Sequence, residues 1–143
     1  MVGLNYYPDN QWYHGGPTIP MGHHAYRPLG EMLAEAHARY RRPLLIAETG
    51  AEGCGRPAWL HYVCSEVHAA MEAGVPVGGV CLYPVADYPG WENERICKVG
   101  LLSAPDGEDR RTVCPRLARE LRRQQATFAE FQAVPAGSLI AAE

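Results

Sequence analysis

The sequence predicts an α/β fold in which parallel strands are covered by helices. Three observations carry this. Short apolar runs of strand length alternate with longer segments whose apolar residues recur every three or four positions. The central run, Leu44-Leu45-Ile46-Ala47, is apolar without a break, which suits a strand covered on both faces. The three helical segments open on Pro28, Pro57 and Pro115, and proline is at home at the first helical position because the N–H it lacks has no partner there anyway. Strands alternating with helices join in parallel through right-handed crossovers. Two architectures fit: a small doubly wound sheet, or part of a (β/α)8 barrel.

Taken in order, Val2 to Tyr7 is an apolar and aromatic run stopped by the turn residues Pro8-Asp9-Asn10. The chain from there to Arg27 is rich in Gly, Pro, His and aromatics and has no periodicity, so it reads as a long loop, and such loops in compact domains are usually functional or disordered. Leu29, Met32, Leu33, Ala36 and Tyr40 form one face of a first helix beginning at Pro28. After Pro43 the strand Leu44 to Ala47 ends in Glu48-Thr49-Gly50. A second helix runs from Pro57 to about Ala73, with Leu60, Val63, Val67, Ala70 and Met71 inward and Gly74 as its stop. Val75 to Tyr83 is the third strand, and the loop from Pro84 to Arg95 holds Asp87, Tyr88, Trp91 and Glu92. Gly100-Leu101-Leu102 is expected to pair briefly. The last helix runs from Pro115 to about Phe131 on Leu117, Leu121 and Phe128, with Arg116, Arg119, Arg122 and Arg123 on a solvated side. Residues 1–131 therefore read as the folded part and 132–143 as a small-residue tail.

Composition narrows the function. At 143 residues, 47% hydrophobic and 20% charged, the chain has the make-up of an ordinary globular domain. A net charge of -3 gives no electrostatic case for a nucleic-acid partner. No apolar run approaches the roughly 20 residues of a membrane helix, so no membrane association is expected. Cys54, Cys64, Cys81, Cys97 and Cys114 contain no CxxC pair, and with no secretory segment at the start they point to reduced thiols and a cytoplasmic setting. His23 and His24 sit side by side in the Gly/Pro-rich loop and read as solvated or sugar-facing, so no metal site is expected. No GxGxxG or GxxxxGK[ST] follows a strand, which argues against a bound nucleotide.

In a barrel, reacting groups lie at the C-terminal ends of the strands. Those ends here carry Asn5, Tyr6 and Tyr7, then Glu48, then Tyr83 with the loop from Asp87 to Trp91. One carboxylate, an amide, phenols and an indole on one rim suit a carbohydrate, whose ring faces stack on aromatics and whose oxocarbenium-like carbon a carboxylate attacks or stabilises. Glu48 follows four apolar residues. A carboxylate there serves chemistry, caps the next helix or pairs with Arg56, since an uncompensated one costs several kcal/mol of desolvation.

The segments Val2-Gly3-Leu4-Asn5-Tyr6-Tyr7, Leu44 to Gly50 and Tyr83 to Trp91 occur in that order with helices between them. Together they resemble the last three strand ends of family 1 glycoside hydrolases, the β-glucosidase family of retaining (β/α)8 barrels. That family carries GLNYY on strand six, an ITENG-like nucleophile motif on strand seven and a WSLxDNFEW-like motif on strand eight. The resemblance spans about residues 2 to 102. It implies a partial barrel equivalent to about strands six to eight and cleavage of β-glycosidic bonds by a retaining mechanism. Glu48 would be the nucleophile, and Tyr7 would hydrogen-bond its carboxylate and hold its orientation. Asn5, Tyr83, Asp87 and Trp91 would contact the sugar, with Trp12 and His14 on the leaving-group side. A carbohydrate is the implied partner, and two-carboxylate chemistry implies no cofactor.

The sequence also departs from the family pattern. Thr49 stands where the nucleophile motif has Asn, Tyr83 replaces a Trp, and Gly90 stands where the family has a hydroxyl-binding Glu. No Asn-Glu-Pro motif, the family's source of the acid/base on strand four, occurs in the chain. A barrel of this kind takes about 250 residues. The acid/base is therefore expected outside this chain, which would need the N-terminal barrel half or self-association. The alternative is a sugar-binding remnant without turnover.

Overall fold

The computed structural model describes residues 1–133. Its elements are β1 (Val2–Asn5), α1 (Leu29–Tyr40), β2 (Leu44–Thr49), a single 3-10 turn (Gly53–Gly55), α2 (Arg56–Glu72), β3 (Val77–Leu82), β4 (Tyr88–Pro89), β5 (Ile96–Cys97) and α3 (Pro115–Ala133). The alternation of strand and helix is as expected, and so is the parallel pairing. β1, β2 and β3 form one sheet in that order, with both contacts parallel. Successive strands thus lie beside one another, each joined to the next through a helix.

Several boundaries differ from the sequence reading for local reasons. β1 stops at Asn5, two residues short, although the Tyr6 N–H still donates to the Glu48 carbonyl at 2.9 Å. Pro28 is the N-cap of α1 rather than its first residue, with extended backbone at ψ 143. α2 starts one residue early at Arg56 and closes before Gly74, whose φ of 89 turns the chain toward β3. β3 is shorter than Val75 to Tyr83, and α3 continues to Ala133. The rest of the expected tail lies outside the described residues. The β4–β5 hairpin was not foreseen, because two-residue strands carry no period. Leu102 does pair, with Ala86 and with Val113.

One face of the sheet is packed. Leu44 and Ile46 of β2 are wholly buried against Leu29 and Leu33 of α1 and Trp59, Val63 and Val67 of α2. A neighbouring cluster joins Leu60 and Cys64 of α2 to Leu117 of α3. The other face presents Gly3, Asn5, Gly78 and Cys81 to solvent. Among the described residues nothing pairs with the outer edges of β1 and β3.

Register holds the key to the site. Leu4 of β1 pairs with Ile46, but the next residue, Asn5, pairs with Glu48. On the other side Ile46 pairs with Val80 and Thr49 with Leu82, so β2 again has one residue more than its neighbour. Ala47 is the extra residue of a β-bulge, a device that re-aims the side chains beyond it. Strict alternation from Ile46 would send Glu48 to the core and Thr49 outward. The bulge reverses both, leaving Thr49 wholly buried and Glu48 on the open rim.

The long loop from Pro8 to Pro28 is held at both ends. Gln11 donates its amide to the Tyr6 hydroxyl at 3.0 Å and to the Arg27 carbonyl at 2.8 Å, while accepting from the Arg27 N–H at 2.9 Å. Tyr26 brings its hydroxyl to that of Tyr6 at 2.7 Å and to that of Tyr62, on α2, at 3.2 Å. Tyr62 also accepts the orphan N–H of Leu29 at the start of α1.

Candidate active site

The ends of the parallel strands open on a cleft of about 940 Å³. Tyr7, Glu48, Tyr83, Tyr88, Trp91 and Trp59 supply most of its character. Tyr7 extends past β1, and its hydroxyl donates to Glu48 Oε2 at 2.9 Å. The phenol of Tyr7 is held well above its usual value, first by burial, then by the hydrogen bond to Glu48 and the charge of that carboxylate, with Tyr83 and Tyr88 adding to it. Tyr7 therefore holds its proton and donates a hydrogen bond to Glu48.

Gly50 makes the rim possible, since a Cβ there would collide with the carbonyl oxygen of Tyr83. The ends of β2 and β3 thereby come together, and Tyr83 N–H donates to the Thr49 carbonyl at 2.9 Å. Tyr83 stands half out of the rim at 46% exposure, and Trp91 is 93% exposed at the tip of the hairpin, a ring with no partner on either face among the described residues. The peptide bond between Tyr83 and Pro84 is cis.

Glu52 lies on the same wall, and its carboxylate is forked by the guanidinium of Arg95, which ties the hairpin to the loop after β2. That pairing holds the Glu52 carboxyl below the usual range and the Arg95 guanidinium above its own. Gly53 N–H adds a backbone bond to the Lys98 carbonyl at 2.8 Å.

Four expected contacts, Asp87, Asn5, Trp12 and His14, do not line the cleft. Asp87 turns inward, where Oδ1 accepts the Gly100 N–H at 2.7 Å and faces Arg56 Nη1 at 3.8 Å. Its side chain is 9% exposed, and Gly100 approaches so closely that a Cβ would strike the backbone of Ala86 and Asp87. Asp87 thus braces the loop beneath Trp91, a structural role in place of the sugar contact expected of it. Asn5 lies on the open sheet face and Trp12 pairs with Thr18 in the long loop, and neither lines the cleft. Arg56, weighed as a partner for Glu48, is bound instead to the carbonyls of Gly53 and Gly100. Trp59, Tyr62 and Met21 line the cleft without having been picked out for it. Trp59 sits one turn into the helix that follows the Glu48 strand, and that spacing is the one signal that marked it. Among the described residues no group of three or more His, Cys, Asp or Glu is placed to hold a metal ion, and no helix is long and apolar enough to cross a membrane.

No protein-family model matches this sequence, and no curated protein matches it. Solved structures do. The family 1 β-glucosidase from Thermotoga maritima superposes with a TM-score of 0.65 at 18% identity, over 87% of this chain and 34% of its own. The β-glycosidase of the hyperthermophile Thermosphaera aggregans gives 0.60 at 24% identity, over 87% and 27%. A hyperthermophilic β-glucosidase mutant, crystallised as a dodecamer, gives 0.57 at 25% identity, over 65% and 21%. The chain thus has the α/β fold, with parallel strands, of part of a β-glucosidase-like glycosidase barrel, and it spans about a third or less of the length of these neighbours.

Proposed function

We propose that this chain is the C-terminal part of a retaining β-glycosidase, equivalent to about barrel strands six to eight, with Glu48 as its nucleophile. The observation that carries the proposal is the 2.9 Å bond from Tyr7 to Glu48 at adjacent strand ends, opening on a cleft walled by Tyr83, Tyr88 and Trp91. A carboxylate held by one phenol keeps its second oxygen free to attack. In the first step a Glu48 oxygen bonds to the anomeric carbon as the bond to the leaving oxygen breaks, and the departing oxygen takes a proton from an acid. In the second step water, deprotonated by the same group, displaces Glu48. Exposed indole and phenol faces suit the apolar faces of a pyranose ring, and their placement around Glu48 is what a sugar in the first subsite requires.

On this reading the proton donor is supplied from outside the described residues, since the Asn-Glu-Pro motif that carries it in the resembled family does not occur in the sequence. Retaining chemistry needs two carboxyl groups about 5–5.5 Å apart, one of them protonated. Of the described carboxylates lining the cleft besides Glu48, Asp9 and Glu52, the second is held ionised by Arg95 and has no proton to give at neutral pH. A polypeptide supplying the remaining parallel strands, and with them the acid/base, would complete the site. The same absence favours one second reading, a sugar-binding cleft without turnover.

A 2-deoxy-2-fluoro glycoside with a good leaving group tests the proposal, because attack on it needs no acid and its adduct hydrolyses slowly. Intact mass and peptide mapping should find one adduct, on Glu48. A folded chain that takes up no label, yet binds sugar, would leave the second reading standing.

A further inference from the structure

Tyr6 and Tyr7 are consecutive, as are Glu48 and Thr49, and the two pairs lie side by side at the ends of β1 and β2. On the cleft side Tyr7 meets Glu48. On the core side the Thr49 hydroxyl, wholly buried, donates to the Tyr6 carbonyl at 2.7 Å and accepts from Trp59 Nε1 at 2.9 Å. The Trp59 ring, 7% exposed, stacks on Tyr6 with centroids 5.4 Å apart. One buried oxygen thereby joins two strand ends to the helix behind them, using its single proton and a lone pair. We propose that Thr49 and Trp59 are positioning residues that hold Glu48 and Tyr7 in hydrogen-bond register across the rim.

The bulge at Ala47 explains why such a latch is needed. A bulge breaks the regular ladder and increases local twist, and it falls one residue before Glu48. Beyond it the backbone bonds that hold this end of β2 to its neighbours include Tyr6 N–H to Glu48 O and Tyr83 N–H to Thr49 O, each 2.9 Å, beside the ladder pairs Asn5–Glu48 and Thr49–Leu82. Those fix the carbonyls but not the rotation that aims the Glu48 carboxylate at Tyr7. The Thr49 side chain supplies the missing constraint on the opposite face of the same two residues, and Trp59 prevents its hydroxyl from turning away. A buried indole N–H and hydroxyl that satisfy one another are costly to part, so the latch is stiff. The catalytic meaning of this latch rests on the proposed role of Glu48, whereas the Tyr7–Glu48 couple it explains does not.

Tyr7 reports the latch without any substrate. Its phenol is faced by Glu48, Tyr83 and Tyr88, and it is raised first by burial and then by the bond to Glu48 and the charge of that carboxylate. Carbon-13 NMR of the tyrosine Cζ atoms at about pH 11, roughly one unit above the ordinary tyrosine value, reads its ionisation directly, with Tyr7→Phe identifying the signal. In the unaltered chain Tyr7 and Tyr26 should both be protonated. Thr49→Val, equal in shape but without the hydroxyl, should let Tyr7 ionise while Tyr26 stays protonated, and Thr49→Ser should restore the original spectrum. Tyr7 remaining protonated in Thr49→Val overturns the proposal. Should that variant lose Tyr26 as well, Trp59→Phe decides: Tyr7 becoming at least half ionised upholds the latch, and an unmoved Tyr7 overturns it. If neither variant holds Tyr26, Thr49 and Trp59 serve the fold itself and the positioning role is overturned.

Labelling separates this from the proposed reaction. No adduct on Glu48 together with a Tyr7 that responds to Thr49→Val removes the nucleophile and leaves the latch. An adduct on Glu48 with an unresponsive Tyr7 does the reverse.

Discussion

At the scale of single residues the site is a matter of two side chains that face each other across neighbouring strands. The Tyr7–Glu48 bond is charge-assisted, and such bonds contribute about 1.5–3 kcal/mol. Tyr7→Phe keeps the ring and removes the donor. We expect it to slow labelling of Glu48 by a fluoro-sugar by roughly 10- to 100-fold, the factor that this energy corresponds to, with the urea midpoint of unfolding little changed. A rate within a factor of two of the parent would show that the phenol does not orient the Glu48 carboxylate. Thr49 and Gly50, the two residues that follow Glu48, have separate roles: one reaches into the core and the other lets Tyr83 approach.

At the scale of elements the long loop and the hairpin form the cleft walls and are anchored differently. The loop is held by hydroxyls, through Tyr6, Tyr26 and Tyr62. Burial, first of all, raises the phenols of Tyr26 and Tyr62, and in Tyr26 the bonds to Tyr6 and Tyr62 raise it further. With Tyr7, three phenols therefore keep their protons in the folded chain above the ordinary value of about 10. Above that pH the folded state binds more protons than the unfolded one, so the stability these groups supply is fully present below it and is lost as pH rises. Urea midpoints should fall steeply above about pH 10, and Tyr26→Phe should flatten that fall. An equal slope in parent and variant would mean that Tyr26 titrates normally. The hairpin is held instead by charges, Arg95 to Glu52 at its tip and Arg56 near Asp87 at its base. The first of these pairs is exposed and is screened by salt.

At the scale of the whole molecule the chain has three parallel strands with one covered face. Parallel sheets in soluble proteins are normally covered on both sides, and unpaired strand edges recruit further strands. Here the uncovered face is that of Gly3, Gly78 and Cys81, residues too small to close it. In the β-glucosidases that the chain resembles in fold, it corresponds to about a third or less of the molecule. We expect the isolated chain to sediment above its monomer mass of 15.7 kDa. Cys81→Lys, which places a charge on the exposed side of an edge strand, should shift it toward the monomer. A parent chain that is monomeric at all concentrations would mean that the open edges are protected.

The sequence by itself determined the order of the parallel strands and main helices and singled out Glu48 and Tyr7 as candidate site residues. Helix starts were legible because proline marks them and glycine ends α2, and β2 was legible as an unbroken apolar run of strand length, although only the face of Leu44 and Ile46 is packed among the described residues, not both as its sequence suggests. Glu48 and Tyr7 stood out as polar groups at the ends of apolar runs, and the structure brings them together. What the sequence did not hold is how those groups are aimed. Its alternation puts Glu48 on the core side of Ile46; a one-residue bulge, visible only once β1 and β3 lie on either side of β2, turns it to the cleft. The family resemblance implied a sugar contact for Asp87, and folding turned it under the loop because Gly100 and Arg56 offer its carboxylate partners there. Local propensity is written residue by residue, whereas register and side-chain pairing depend on segments some forty residues apart and exist only in the packed chain.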